Sequence, residues 1–183
     1  MQPRLSPEKY IQKVARKLPI SATLVSKDIF ISGLGQIVVA REKKNDSLVV
    51  GIYMVDVFAC GVKDSFFKIM DEQEFEKLLS LTKNRNMELE TKDPNYVFNL
   101  VYGAVEYAED LGLEPHKSFA LTSYILEDVE DIEYVNIEFG KDSKPLYIPG
   151  INENPARVLA ILNKNIGEGN YEYTIALNDY TDF

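Results

Sequence analysis

Residues 36–58 read Gln36-Ile37-Val38-Val39-Ala40-Arg41, then the polar stretch Glu42–Ser47, then Leu48-Val49-Val50-Gly51-Ile52-Tyr53-Met54-Val55-Asp56-Val57-Phe58. Two runs rich in β-branched residues across a short polar turn predict a β-hairpin. The second run lacks the apolar–polar alternation of a half-exposed strand, so both of its faces should be covered. Upstream, Ala22 to Ile31 predicts another strand, and Gly33-Leu34-Gly35 turns the chain into the hairpin.

Helices frame this centre. Ser6-Pro7 is an N-cap followed by N1, and Tyr10, Ile11, Val14, Ala15 and Leu18 recur at helical spacing before Pro19. Asp71 with Glu74 forms a capping box for a helix marked by Phe75, Leu78, Leu79 and Thr82 and ending near Asn84. A short strand is expected around Met87–Glu90. Asp93-Pro94 opens the clearest helix, with Val97, Leu100, Val101, Ala104, Ala108 and Leu111 as its apolar stripe and Gly112 as its stop. Phe119 to Leu126 reads as a shorter helix, and Glu127 to Glu133 as an acidic connector kept solvated by self-repulsion. Tyr134–Phe139 and Leu146–Ile148, flanking Gly140–Pro145, predict a second hairpin. Asn154-Pro155 starts a helix that Gly167 stops, Tyr171–Leu177 predicts a last strand, and residues 178–183 form an acidic tail. The sum is an α+β chain, 1–183 as a single domain, with a mostly antiparallel sheet built from two hairpins and four or five helices.

The 183 residues, 45% of them hydrophobic, suffice for a sizeable core. The apolar stretch Ser47–Gly61 is shorter than the roughly 20 residues of a membrane helix, and the first residues lack a secretory h-region, so a cytoplasmic chain with no membrane partner is expected. A lone cysteine, Cys60, and a lone histidine, His116, leave no internal disulfide and no Cys/His zinc site. The net charge of −9 disfavours non-specific binding to polyanions, which makes a protein partner or self-association the better expectation than nucleic acid. Residues 1–20, a basic amphipathic helix, carry +4 of that charge and leave −13 for the remainder, so this helix is suited to an acidic surface, including the protein's own.

Asp56 stands out because it interrupts a doubly covered strand. A buried carboxylate must be paired, hydrogen-bonded, protonated or bound to metal. One reading has it accept backbone N–H groups from the turn Cys60-Gly61-Val62. The other adds Asp64 as a second oxygen ligand and Glu106, Glu109 or Asp110 from the long helix as a third, an all-oxygen site for Mg²⁺ or Mn²⁺ with Lys63 near a phosphate. The helix carboxylates also sit where the solvated side of an amphipathic helix would place them. Cys60 and His116 admit a thiol-hydrolase reading, with Asp56 or Asp64 orienting the base, although a free cysteine is as readily a core residue. Gly33-Leu34-Gly35 lacks the third glycine of a dinucleotide fingerprint and leads into a strand, which excludes that site.

Two stretches, Gly33–Arg41 leading to Tyr53–Val57 and Gly61–Asp64, and Tyr102–Ala108 leading to Pro115-His116-Lys117, resemble segments of a family of uncharacterised bacterial proteins associated with Bacteroidota. The resemblance spans the middle half of the chain and implies a bacterial cytoplasmic origin, with no activity or cofactor. The expectation from the residues is therefore a non-enzymatic binding or regulatory domain without cofactor. Its alternatives are a divalent-metal-dependent hydrolase or nuclease using Asp56 and Asp64, and a Cys60/His116 hydrolase.

Overall fold

The computed structural model describes residues 5–84, 87–151 and 153–174. The Ser6 hydroxyl accepts the Lys9 N–H at 3.3 Å and Pro7 presets the first helical φ, so α1 runs Pro7–Val14. A 3₁₀ turn, Ala15–Lys17, continues it. Strand β1 (Ile20–Ser26) ends earlier than expected, because Ile29–Ser32 winds into the short helix α2 instead of extending the strand. Gly33 closes α2 at φ +82°, where a Cβ would lie 2.1 Å from the Phe58 ring. Only glycine satisfies both demands.

Strands β2 (Leu34–Lys43) and β3 (Ser47–Asp56) form the expected hairpin, in unbroken register from Leu34 opposite Asp56 to Lys43 opposite Ser47. Asn45 and Asp46 take left-handed φ values of 65° and 51° in its turn, a region these two residue types tolerate. The chain then re-enters the sheet as β4 (Gly61–Asp71). This strand is not evident in the sequence, since Lys63, Asp64 and Lys68 break up its apolar pattern.

The capping box forms as expected: the Asp71 carboxylate accepts the Glu74 N–H at 2.8 Å, and α3 spans Glu72–Asn84. After β5 (Leu89–Thr91), two residues downstream of the expected start, the Asp93 carboxylate caps α4 (Pro94–Asp110). Helix α5 (Phe119–Thr122) passes into a 3₁₀ turn, Ser123–Ile125. Then come β6 (Leu146–Tyr147), α6 (Pro155–Ile166), capped by Asn154, and β7 (Glu172–Tyr173). The described helices thus exceed the expected four or five. Residues 175–177 of the expected last strand, and the tail 178–183, lie outside the described residues.

The fold is α+β. One antiparallel sheet has the order β4-β3-β2-β1-β5, and a separate pair, β6 and β7, runs parallel. The second hairpin does not form. Residues 132–139 instead lie across α4, held by side chains of that helix, and β6 pairs with β7. Period-two apolar spacing here reflects an extended chain seated on a helix rather than a strand.

Both faces of β3 are covered, as its sequence requires. Val49, Tyr53 and Val55, with Ile37 and Val39 of β2, pack against Val97, Leu100, Val101 and Ala104 of α4. Val38, Ala40, Leu48, Val50 and Ile52 pack with Met70 and Phe75 on the α3 side. Each fully buried aliphatic side chain here contributes about 1.5–3 kcal/mol.

Arg41 follows the alternation of β2 into the α4 side of this core and is 1% exposed. Its guanidinium donates to the carbonyls of Ile125 (2.6 Å), Arg16 (3.0 Å) and Leu18 (2.7 Å) and to the Glu127 carboxylate (3.1 Å). Replacing it by Met leaves three buried or part-buried carbonyls without this donor. Urea denaturation of Arg41→Met is expected to show a loss of about 3–5 kcal/mol.

Candidate functional site

Asp56 ends β3 and is 4% exposed. One of its oxygens accepts the N–H groups of Phe58 and Ala59, both at 2.9 Å, folding Val57–Cys60 into the turn that leads to β4. The acceptance lies one or two residues ahead of the turn expected from sequence. Burial raises the Asp56 carboxyl above its ordinary range, against the opposing pull of the Ala59 N–H, Lys63 and the Phe58 N–H. Gly61 lets this turn sit on α4, since a Cβ there would lie 2.8 Å from the Ala104 carbonyl oxygen. The turn also anchors the chain that follows residues 132–139: Val57 O accepts Gly140 N–H at 2.9 Å and Phe58 O accepts Leu146 N–H at 3.1 Å.

Asp64 is placed elsewhere. It is exposed, and its Oδ1 lies 3.2 Å from His116 Nδ1 and 3.4 Å from the Ser118 hydroxyl. Asp56 and Asp64 share no hydrogen-bond partner. Glu106, Glu109 and Asp110 lie exposed on α4, away from the buried Ala104 and Ala108 on which the Asp56 turn rests. Among the described residues no group of three or more His, Cys, Asp or Glu side chains is gathered as a metal would require.

His116 is fixed by its N–H to Val62 O (2.8 Å) and by Nδ1, 2.7 Å from the Ser118 hydroxyl. The same nitrogen faces both Ser118 and Asp64, whereas a Ser–His–Asp relay needs a different ring nitrogen for each. The hydroxyls continue inward, from Ser118 to Ser65 at 2.9 Å and from Ser65 to Thr122 at 2.7 Å, and the Ser65 N–H donates to Ser118 Oγ at 3.0 Å. Among the described residues no hydrogen bond joins His116 to Cys60. Burial and the neighbouring Asp56 push the Cys60 thiol well above its ordinary range, away from a thiolate.

What the fold does build is a cleft of about 640 Å³ between the start of β4, the chain after α4 and helix α6. Gly112, at φ +85°, turns the chain out of α4, and a Cβ there would lie 2.0 Å from the Asn165 amide of α6. Ala108, Leu111, Leu113, Tyr147 and Leu162 form the apolar floor beneath. Lys63, His116 and Arg157 line the opening, with Cys60, Val158 and Ile161 as apolar wall. On one side Lys63 Nζ meets Glu153 Oε1 at 2.5 Å, while Glu153 Oε2 accepts Tyr147 O–H and Gly150 N–H, each at 3.0 Å. Burial opposes the Glu153 charge, but the Lys63 hydrogen bond and the Gly150 N–H outweigh it and hold the carboxyl below its ordinary range. Lys63 was singled out by the sequence. Glu153, Tyr147 and Arg157 were not, because Asn154-Pro155 signals only a helix start and nothing in the spacing joins it to β4.

Two outcomes test this geometry. Asp56→Ala strands two buried N–H groups and is expected to cost about 2–4 kcal/mol in urea denaturation, whereas Asp56→Asn keeps an acceptor and costs about 1 kcal/mol or less. The Glu153 carboxyl, lowered on folding, contributes stability that is complete above its unfolded pKa and lost as pH falls through the folded one. Thermal melts from pH 7 down to 3 are expected to show a shallower acid loss for Glu153→Gln than for the wild type.

Compared with family models, with curated proteins and with solved structures, the chain matches none.

Proposed function

We propose that the chain is a non-enzymatic binding domain of the bacterial cytoplasm whose ligand seat is the cleft between β4 and α6, and that the ligand is a small molecule carrying a carboxylate or phosphate. The observation that carries this reading is the cleft itself, where Lys63 and Arg157 line an opening shared with His116, Glu114 and Glu153 beside an apolar wall, in a chain of net charge −9. With Lys63 held by Glu153, Arg157 supplies the cation that orients an anion in this concave site, and the apolar wall takes the rest of the molecule. Among the described residues around the cleft none activates a nucleophile: the thiol is held protonated and the histidine is turned toward Asp64 and Ser118. A free thiol suits a compartment where thiols stay reduced, and the resemblance of Gly33–Arg41, Tyr53–Val57, Gly61–Asp64, Tyr102–Ala108 and Pro115–Lys117 to bacterial proteins supports the same setting.

The test is a thermal-shift titration of the purified chain with inorganic phosphate, citrate, succinate and a nucleoside monophosphate, in the wild type and in Arg157→Ala. A ligand of the folded state alone raises the melting temperature saturably. The expected result is such a rise with at least one anion, reduced in Arg157→Ala. No rise with any of them overturns the reading. Mg²⁺ and Mn²⁺ run in the same plate test the divalent-metal alternative, which requires a rise abolished by Asp56→Asn.

A further inference from the structure

Residues 127–139 cross the outer side of α4 as a strap that joins no strand. It is held there mainly through its backbone. Asn95 and Asn99, one helical turn apart, both donate their side-chain amides to the Glu133 carbonyl, at 2.7 and 2.8 Å. Their side-chain oxygens accept the N–H groups of Glu133 (2.8 Å) and Val135 (3.0 Å). The Tyr102 hydroxyl donates to Glu127 O at 2.8 Å. Gly103 leaves room for the Phe139 ring, which stacks on Tyr107 at 5.8 Å. Bonds to N–H and C=O do not discriminate side chains, so the clamp reads an extended chain as such.

The occupant is weakly seated. None of residues 127–140 is buried, and Tyr134 is 84% exposed. Acidic residues recur along the strap at Glu127, Asp128, Glu130, Asp131, Glu133 and Glu138, next to Glu106 and Asp110 at the groove. Its start is latched by two ion pairs, Arg16 with Asp128 and Arg41 with Glu127. Ile132, Ile137 and Phe139 are the strap's partly buried apolar contacts with the core, and a segment none of whose residues is fully buried opens at a lower free energy than the core. A groove of about 320 Å³ already lies between strap and helix.

We propose that the Asn95–Asn99 groove of α4 is a docking surface for an extended segment of alternating apolar and acidic residues, and that residues 127–139 occupy it in cis as a releasable internal ligand. Release leaves the backbone ladder of the sheet intact, because the strap's bond to a sheet residue is the side-chain pair of Glu127 with Arg41, and a segment of the same chemistry from another chain then takes its place.

Hydrogen exchange and peptide binding test this on the full chain. Asp128→Lys breaks the Arg16 pair of the latch without touching the groove, and Asn95→Ala with Asn99→Ala removes the clamp while favouring the helix. In the wild type, the Glu133 and Val135 amides are expected to exchange at least ~10-fold faster than the core amide of Val39. In Asp128→Lys they exchange faster still, and a fluorescent peptide with the sequence of residues 127–139 binds at least ~5-fold more tightly than to wild type. The double Asn variant exchanges fast and loses the peptide. Exchange of the strap amides at the rate of Val39, or a peptide that does not bind Asp128→Lys, overturns the proposal.

Discussion

The guanidinium of Arg41 is the point on which the packing of the helices against the sheet depends. It reaches the core because strand alternation carries it there beside Ile37 and Val39. A desolvated cation is tolerable only when its donors are satisfied, and here they meet the carbonyls of Arg16, Leu18 and Ile125 and the carboxylate of Glu127. Arg16 and Ile125 lie in or at the end of 3₁₀ turns, where carbonyls lack partners within their own turn. One side chain of β2 therefore fixes the end of the N-terminal helical segment and the end of the α5 segment on the same patch of sheet.

Arg16 repeats the device at the surface, donating to Leu126 O and Ser123 O and pairing with Asp128. Arg16 of the basic first segment and Asp128 of the connector after α5 thus form one intramolecular contact. The first two acids of the connector are half-buried and paired with Arg41 and Arg16, and Val129–Asp131 are exposed. Self-repulsion alone does not describe it.

The central hairpin, the capped helices and the double burial of β3 were legible because each rests on local chemistry: Ser6-Pro7, Asp93-Pro94 and Asn154-Pro155 start helices wherever they stand. Strand β4 was not legible, because it is an edge strand with charges at Lys63, Asp64 and Lys68, and its place comes from pairing with β3. The strap was misread as a strand because an extended chain on a helix leaves the same period-two trace as one in a sheet. Of the site, Asp56 could be read as a carboxylate that needs partners, and its partners are the turn it heads. The cleft could not be read, since it joins β4, the end of α4 and α6 through tertiary packing, with Gly112 permitting the approach.

The edge of the sheet at β4 carries a last consequence. Its outward N–H at Ser65 is taken by the Ser118 hydroxyl, and that at Asp71 faces Glu74 of the capping box at 3.4 Å. Between them only a few backbone groups face outward, beside the exposed Lys68. A neighbouring molecule that tried to extend the sheet would find the N–H groups at Ser65 and at the strand's end, Asp71, occupied and a charge to bury between them. The same hydroxyls and carboxylates that finish a turn and a helix therefore guard the folded chain against edge-to-edge aggregation at high concentration.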